Sequence, residues 1–157
     1  MEEKILVMEN QLKNKIILIT GTNSGIGKSI VKLLEKEKCI IIATSRKKIK
    51  KYKKNIFYYN LDVTNENQWK ELVNYIKKKF GKLDVLINNA GIRVSGTIEN
   101  TSLELWNDVI NTNLSSMFLG CKYTLPLLKK GKNASIVNLA SISSLRGIKN
   151  MLAYSAS

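Results

Sequence analysis

Two segments, far apart in the chain, carry the residue types most suited to chemistry. Residues 19–29, ITGTNSGIGKS, place three glycines just before an apolar helical pattern. Glycines there allow a ligand to approach the backbone closely, and the helix N-terminus offers N–H groups to a phosphate. Residues 151–157, MLAYSAS, place Tyr154 three residues before the last residue. A tyrosine so close to a chain end usually lies in a frayed segment. Tyr154 is therefore a candidate for chemistry only if it belongs to a catalytic motif.

The glycine segment is compatible with more than one nucleotide-binding motif. A P-loop has the pattern G-x-x-x-x-G-K-S/T, and Gly27-Lys28-Ser29 supplies its end. Its first glycine should then occupy position 22, which is a threonine, whereas Gly21 comes one residue too early. The loop therefore has the wrong length for a P-loop. The observed spacing, G-x-x-x-G-x-G, also differs from the common G-x-G-x-x-G dinucleotide fingerprint.

Strand and helix patterns alternate along the chain, as a parallel α/β sheet requires. The first helix is predicted to bury Ile26, Ile30, Leu33 and Leu34, and a later helix shows the stripe Trp69, Leu72, Val73, Ile76 and Phe80 before Gly81 ends it. A long helical stretch over 103–130 contains Pro126, which is expected to kink or end it. The five predicted strands cover residues 15–20, 39–44, 56–60, 85–88 and 135–139. With no repeat, linker or break in composition, the pattern predicts one domain.

Composition narrows the functional classes. The chain has 157 residues, 44% of them hydrophobic and 24% charged, which is typical of a soluble globular protein. It contains no histidine, so His-based catalytic triads and most zinc sites are excluded, and no metal site is expected. No segment is long enough to span a membrane or to form a signal peptide. Cys39 and Cys121 lie in apolar sequence, which indicates buried, reduced thiols and a cytoplasmic location.

A formal net charge of +14 raises the alternative of a nucleic-acid-binding protein. The densest basic run is KKIKKYKK, residues 47–54, which includes one aromatic residue. A general bias of the chain toward Lys, Asn and Ile explains the charge more simply, because the lysines are scattered and no nucleic-acid motif accompanies them. Nucleic-acid binding is therefore the third alternative for function.

Together with Thr20, the glycine segment resembles the T-G-x-x-x-G-x-G turn of the short-chain dehydrogenase/reductase family. Three further segments resemble motifs of that family and occur in the same order. They are LDVTN (61–65), INNAG (87–91) and WNDVINTNLSSMF (106–118). The resemblance covers residues 14–157. It implies a Rossmann-like, doubly wound parallel α/β fold. It also implies an NAD(P)H-dependent oxidoreductase acting on a small-molecule carbonyl or alcohol. Residues 1–13 would form an N-terminal extension and 14–157 a partial NADP-binding domain.

The resemblance also implies which residues hold the cofactor. Asp62 and Val63 would hold the adenine ring, Asn89, Ala90 and Gly91 would lie along the ribose, and Asn88 would brace the sheet. The glycine turn would contribute Gly21, Thr22, Asn23, Ser24, Gly25, Ile26 and Gly27.

The end of the second strand, ATSRKK, predicts NADP(H) in preference to NAD(H). An acidic residue there would bind the ribose 2′-OH of NAD, but this chain has Ser45 and Arg46. A guanidinium can hold a 2′-phosphate through two hydrogen bonds. The alternative is that Arg46 is one more surface cation.

Three of the family's four catalytic residues have candidates here. Asn113 lies on an apolar helix stripe and would hold a water in a proton relay. Alternatively, it is a buried asparagine that only ties the helix to the sheet, and Asn111 is a weaker candidate because it lies off the stripe. Ser141 follows the fifth strand, where parallel sheets place ligands, and would bind the substrate oxygen. Ser143 and Ser144 are close enough to compete with it.

Tyr154 would be the general acid or base, at the family's spacing from Ser141. A free phenol has a pKa of about 10, so a nearby cation must lower it; the family supplies a lysine in Y-x-x-x-K. Here Y-S-A-S reaches the last residue, one position before that lysine. We therefore expect a fragment that lacks the family's C-terminal βα units and leaves its fifth strand as an uncovered edge.

Truncation leaves an alternative function open. A chain without the lysine would be a catalytically inactive nucleotide-binding remnant. The resemblance further implies a homo-oligomer for the complete protein. It gives only weak evidence for a substrate, through similarity of residues 106–118 to the 3-oxoacyl-carrier-protein reductase branch.

Overall fold

A computed structural model describes residues 12–47 and 53–157 of the chain. The chain has five strands: β1 (Ile16–Ile19), β2 (Ile40–Ser45), β3 (Ile56–Asn60), β4 (Val85–Asn88) and β5 (Ser135–Asn138). All five are parallel and form one sheet in the order β3-β2-β1-β4-β5, with β1 at its centre. The sheet confirms the expected α/β class.

The central strand is buried on both faces because alternate residues enter two separate cores. Ile16 and Leu18 join the core that includes Trp69, whereas Ile17 and Ile19 join the core that includes Val31. A strand covered on both sides reads as a continuous apolar run, as IILI does. Helices therefore lie on both faces of the sheet, which is the doubly wound arrangement.

The helices are bounded by recognisable caps. Asn65 accepts a hydrogen bond from the Gln68 N–H at the start of its helix, and Gly81 ends the same helix with φ 75°, as predicted. Ser102 caps a later helix in the same way. The α-helices are α1 (Gly25–Leu34), α2 (Glu66–Phe80), α3 (Leu103–Ile110), α4 (Ser116–Leu128) and α5 (Leu152–Ala156).

The predicted buried face of α1 is partly wrong. Ile26 and Leu33 are 65% and 64% exposed, and the buried residues are Gly27, Val31 and Leu34. The helix meets the rest of the fold through the side that bears Gly27, since the backbone of the glycine turn lies against that residue. The rotation of this helix therefore combines close backbone contact at Gly27 with burial of Val31 and Leu34.

The long helical stretch is continuous but contains an unpredicted π-helical turn, Asn111–Ser115, between α3 and α4. Pro126 lies in the last turn of α4, which ends two residues later at Leu128. Cys39 is buried as predicted, but Cys121 is only partly buried, and both are free thiols. Within the described residues, no helix has the length and apolar character needed to cross a membrane.

Strand β5 lies at one edge of the sheet, as expected. Its Ile136 and Val137 are 41% and 46% exposed. At the opposite edge is β3, preceded by the basic run 47–54, of which residues 48–52 lie outside the described residues.

A buried carboxylate joins the N-terminal ends of three strands. Asp84, which is 0% exposed, accepts hydrogen bonds from the N–H groups of Ile16 and Lys132 and from the Lys82 ammonium, at 2.8–3.0 Å. Burial raises the pKa of Asp84, but the Lys82 ammonium and the two N–H groups outweigh it, so that the pKa lies below its ordinary value of 3.8.

We expect Asp84→Asn to lower the free energy of unfolding by about 3 kcal/mol. The reason is that the NH2 group of asparagine would face the N–H and ammonium donors that now bind the carboxylate. Because the folded-state pKa is depressed, the stabilisation is present above pH 3.8 and is lost as pH falls through that lower pKa. Urea unfolding at pH values from about 7 to about 2.5, which covers much of the usual range of acid denaturation, measures both effects. Asp108→Asn, at an exposed aspartate, is the control. An unchanged acid dependence in Asp84→Asn would contradict the assignment.

Candidate functional site

The glycine turn after β1 is tied to the loop after β4 by four hydrogen bonds. The buried Thr20 hydroxyl accepts from the N–H groups of Asn89 and Ala90, at 3.0 and 2.9 Å. In return, the Asn89 amide donates to the carbonyls of Thr20 and Gly21, at 2.7 and 3.0 Å. Two loops at the carboxyl ends of adjacent strands are thus held as one unit.

Glycine is required at two positions of this turn. Gly21 has φ 70°, in the left-handed region, and a Cβ there would lie 2.8 Å from the Ala90 Cα. A Cβ at Gly27 would overlap the Gly21 carbonyl and the Asn89 amide nitrogen. Unlike α2 and α3, helix α1 has no side-chain cap, because Ser24 makes no capping hydrogen bond. Its first N–H groups therefore remain available to a ligand.

The end of β2 is fixed to the same turn. Thr22 donates from both its N–H and its hydroxyl to the Thr44 carbonyl, at 2.9 and 3.1 Å, and the Thr44 hydroxyl donates to the Ile19 carbonyl. Thr22 is a buried residue of the glycine turn. These contacts fix Arg46, two residues beyond Thr44, relative to the glycine turn.

These loops form one wall of a cleft of about 960 Å³ at the carboxyl ends of the strands. Every cofactor residue predicted from the sequence lines it, except Thr22. Sequence reasoning missed eight other lining residues. They are Ser45, Lys47, Leu61, Thr64, Ile92, Asp108, Asn111 and Thr112. Several of these residues directly follow a strand end or a motif from which a neighbouring residue was predicted. Their adjacency in the sequence was the signal that could have identified them.

Charge is unevenly distributed in the cleft. Arg46 and Lys47 lie at the end of β2, and the carboxylates of Asp62 and Asp108 lie elsewhere along the lining. The Asp62 carboxylate accepts from the N–H and hydroxyl of Thr64, at 3.0 and 2.8 Å, which closes the turn after β3. The β2 end is therefore the part of the cleft suited to an anionic group.

A smaller cavity of about 200 Å³ adjoins the cleft and brings together the three predicted catalytic residues, Asn113, Ser141 and Tyr154. Ser144, Arg93 and Ser157 also line it. Five residues line both spaces, which makes them one continuous site: Ile26, Asn89, Ala90, Gly91 and Ile92. The exposure of Ile26 now has an explanation, because its side chain lies between the two spaces.

Asn113 is fixed by the backbone of one residue. Its Oδ1 accepts from the Ile92 N–H at 2.8 Å, and its Nδ2 donates to the Ile92 carbonyl at 2.9 Å and to the Ser157 hydroxyl at 2.9 Å. Asn113 therefore ties the helix to the loop after β4. Its Oδ1 retains one lone pair, which can accept a hydrogen bond from a further donor.

Ser141 is positioned by contacts with Ser143, and the helix that bears Tyr154 by a backbone hydrogen bond to the loop at Gly96. The Ser141 hydroxyl accepts from the Ser143 N–H and donates to the Ser143 hydroxyl, both at 3.2 Å. Ser143 itself is buried and does not line the cavity. Helix α5, which bears the half-buried Tyr154, is held by the Leu152 N–H, which donates to the Gly96 carbonyl at 3.1 Å.

We expect Gly27→Ala to lower the free energy of unfolding by about 2–3 kcal/mol, because its Cβ must displace the turn or Asn89. Gly147→Ala is the matched control, since a Cβ there meets no atom within 4 Å. Thermal and urea unfolding of both variants measure the difference. Equal stability of the two would show that the packing around Gly27 relaxes freely.

Comparisons with known proteins place this site in a family context. Residues 15–157 match the family model described as short chain dehydrogenase. The 3-oxoacyl-acyl-carrier-protein reductase FabG of Thermotoga maritima is 35% identical over 156 residues, which cover 94% of this chain and 63% of that protein. The chain thus spans about three fifths of the length of this curated relative.

Two solved structures are similar in fold. The aldohexose dehydrogenase of Thermoplasma acidophilum, in ligand-free form, has a TM-score of 0.88 at 32% identity, covering 94% of this chain and 57% of that one. ElxO, solved with NADP bound, has a TM-score of 0.84 at 38% identity, covering 91% of this chain and 62% of that one.

Proposed function

Because the chain belongs to the short-chain dehydrogenase family, we propose that it binds NADP(H) in the large cleft and acts in hydride transfer between that cofactor and a small carbonyl or alcohol substrate. When bound, the nicotinamide ring supplies or accepts the hydride. The protein's residues bind the cofactor, orient the substrate oxygen and move a proton.

The observation that carries the proposal is the wall shared by the two spaces. Asn89, Ala90 and Gly91 line both the large cleft and the cavity containing Tyr154. A dinucleotide in the large cleft would therefore end beside the proposed catalytic residues. The volume of about 960 Å³ lies within the range of known ligand sites.

The residues present fit a dinucleotide phosphate. Helix α1 begins without a side-chain cap, and its first residue, Gly25, leaves open space because a Cβ there would meet no atom within 4 Å. A pyrophosphate can therefore approach the helix N-terminus closely. Arg46 and Lys47 favour a further phosphate at the β2 end. ElxO, a structural neighbour, was solved with NADP bound, which supports the same choice.

Each proposed catalytic residue has one task. Tyr154 would exchange a proton with the substrate oxygen, and the Ser141 hydroxyl would hydrogen-bond that oxygen. Asn113 would hold a water through its remaining Oδ1 lone pair while fixing the loop at Ile92. Arg93 also lines this cavity and supplies a positive charge there.

We expect the chain to bind NADPH more tightly than NADH, and Arg46→Ala to raise the Kd for NADPH by about tenfold to hundredfold, the cost of losing charge-assisted hydrogen bonds. The Kd for NADH should stay within about twofold. Titration of nucleotide fluorescence gives both constants. Arg146→Ala, at an exposed arginine that does not line the cleft, is the control. Tighter binding of NADH by the wild-type chain would refute the NADP preference.

We expect Tyr154→Phe to leave NADPH binding unchanged and to lower turnover of a carbonyl substrate by about 10²–10⁴-fold, because the phenyl ring cannot transfer a proton. Oxidation of NADPH, followed across a panel of aldehydes and ketones, measures turnover. Tyr58→Phe, on strand β3, is the matched control. Binding without turnover in the wild-type chain would instead favour the alternative of a nucleotide-binding protein without catalytic activity.

A further inference from the structure

The turn that follows β2 is held by side chains on its carbonyl groups. The Ser45 hydroxyl donates to the Lys47 carbonyl at 2.6 Å. The orientation of the Asn60 amide is assigned from its surroundings, because its oxygen would otherwise face only acceptors. With its NH2 group toward β2, the Asn60 side chain donates to the carbonyls of Ser45 and Arg46, at 2.9 and 2.8 Å. Three successive carbonyls, at Ser45, Arg46 and Lys47, therefore each have a side-chain donor.

The direction of these carbonyls fixes the direction of the adjacent N–H groups. In a trans peptide unit the C=O and the following N–H point to opposite sides. Since the carbonyls of Ser45 and Arg46 converge on Asn60, the N–H groups of Arg46 and Lys47 point away from it. Arg46 and Lys47 line the large cleft and Asn60 does not. Two successive N–H groups turned to one side form a concave binding surface for an anion.

We propose that Asn60 is a positioning residue for nucleotide selectivity, a role that rests on the proposed binding of NADP(H). The Ser45 carbonyl also accepts from the Leu61 N–H at 3.0 Å, so the contact that depends on Asn60 alone is the one to the Arg46 carbonyl. By holding that carbonyl, Asn60 keeps the turn in the conformation that presents the Arg46 guanidinium and the Lys47 N–H to a phosphate on the ribose. A nucleotide without that phosphate gains little from this conformation. Asn60 therefore contributes to the preference between the two nucleotides without touching either.

The position of Asn60 allows this role to be separated from folding. It is the last residue of β3, it pairs with Ser45 in the β2–β3 register, and it is exposed. The next turn has its own support, because the Asp62 N–H donates to the Gln68 side chain at 2.7 Å. Removing the Asn60 amide should thus leave the sheet and the turn after β3 intact.

The test is the pair of Kd values for NADPH and NADH in wild-type, Asn60→Ala and Asn55→Ala chains. Asn55 is an exposed asparagine just before the other end of β3, and it makes a matched control. We expect Asn60→Ala to weaken NADPH binding by about five- to tenfold, the effect of one or two hydrogen bonds, and to leave NADH binding and the melting temperature unchanged. Competition by 2′-phospho-ADP-ribose and by ADP-ribose should show the same difference.

A double-mutant cycle with Arg46→Ala tests the coupling directly. If Asn60 acts through the turn, Asn60→Ala should weaken NADPH binding less in the Arg46→Ala background than in the wild type. Equal weakening of NADPH and NADH, or no change in either, would overturn the role of Asn60. The wild-type titration alone decides whether the proposed cofactor is right. A preference for NADPH that survives Asn60→Ala in full would therefore overturn only this inference.

Discussion

The site depends on the hydrogen bonds between Thr20 and the loop after β4. The Thr20 hydroxyl accepts from two consecutive N–H groups, and the Asn89 side chain donates to two consecutive carbonyls of the glycine turn. Because the Asn89 amide occupies the space beside Gly27, that position cannot bear a Cβ. The same close contact turns Ile26 outward, to the junction of the two spaces. The pairing of Thr20 with Asn89 thus contributes to the need for glycine at position 27 and joins two loops in the wall of the cleft.

The π-helical turn gives one helix access to both spaces. Asn111 and Thr112 line the large cleft, whereas Asn113 and Met117 line the smaller cavity. In a regular α-helix, successive residues point about 100° apart. A turn with i→i+5 hydrogen bonds has more residues per turn and so changes which side chains share a face. Such π-turns occur frequently at functional sites. Here the turn also brings the Asn113 amide to the backbone of Ile92.

Much of the fold could be read from the sequence, and the two exceptions have separate physical causes. The bounds of β3 and β4 follow from apolar runs limited by polar residues, and Gly81 and Asn65 mark the ends of α2 through local backbone chemistry. The predicted face of α1 was partly wrong, because Gly27, which has no hydrophobic signal, faces the fold beside Val31 and Leu34. The π turn was not visible either, since NTNLS continues the helical pattern without a break.

The residues of the candidate site likewise fall into those that local sequence patterns predicted and those that they did not. The residues that line the cleft came from glycine spacing and motif order, which are local signals. The roles of Thr20, Thr44 and Asn60 depend on partners brought together by the sheet, 25 residues apart for Thr44 and Ile19 and 69 for Thr20 and Asn89. Nothing local distinguishes these residues from the chain's other threonines and asparagines. Their contacts became visible only when the donors and acceptors could be paired.

The distance along the chain between the bonded partners has a consequence for folding. Thr20 meets Asn89 across 69 residues and Asp84 meets Ile16 across 68, so the cleft cannot form before the central strands have paired. Such non-local pairing is slow compared with helix formation. A nucleotide that binds only the folded chain would add about 2.7 kcal/mol of stability at a hundred times its Kd, against a typical total of about 5–15 kcal/mol. The supply of nucleotide would then change the fraction of the chain that is folded.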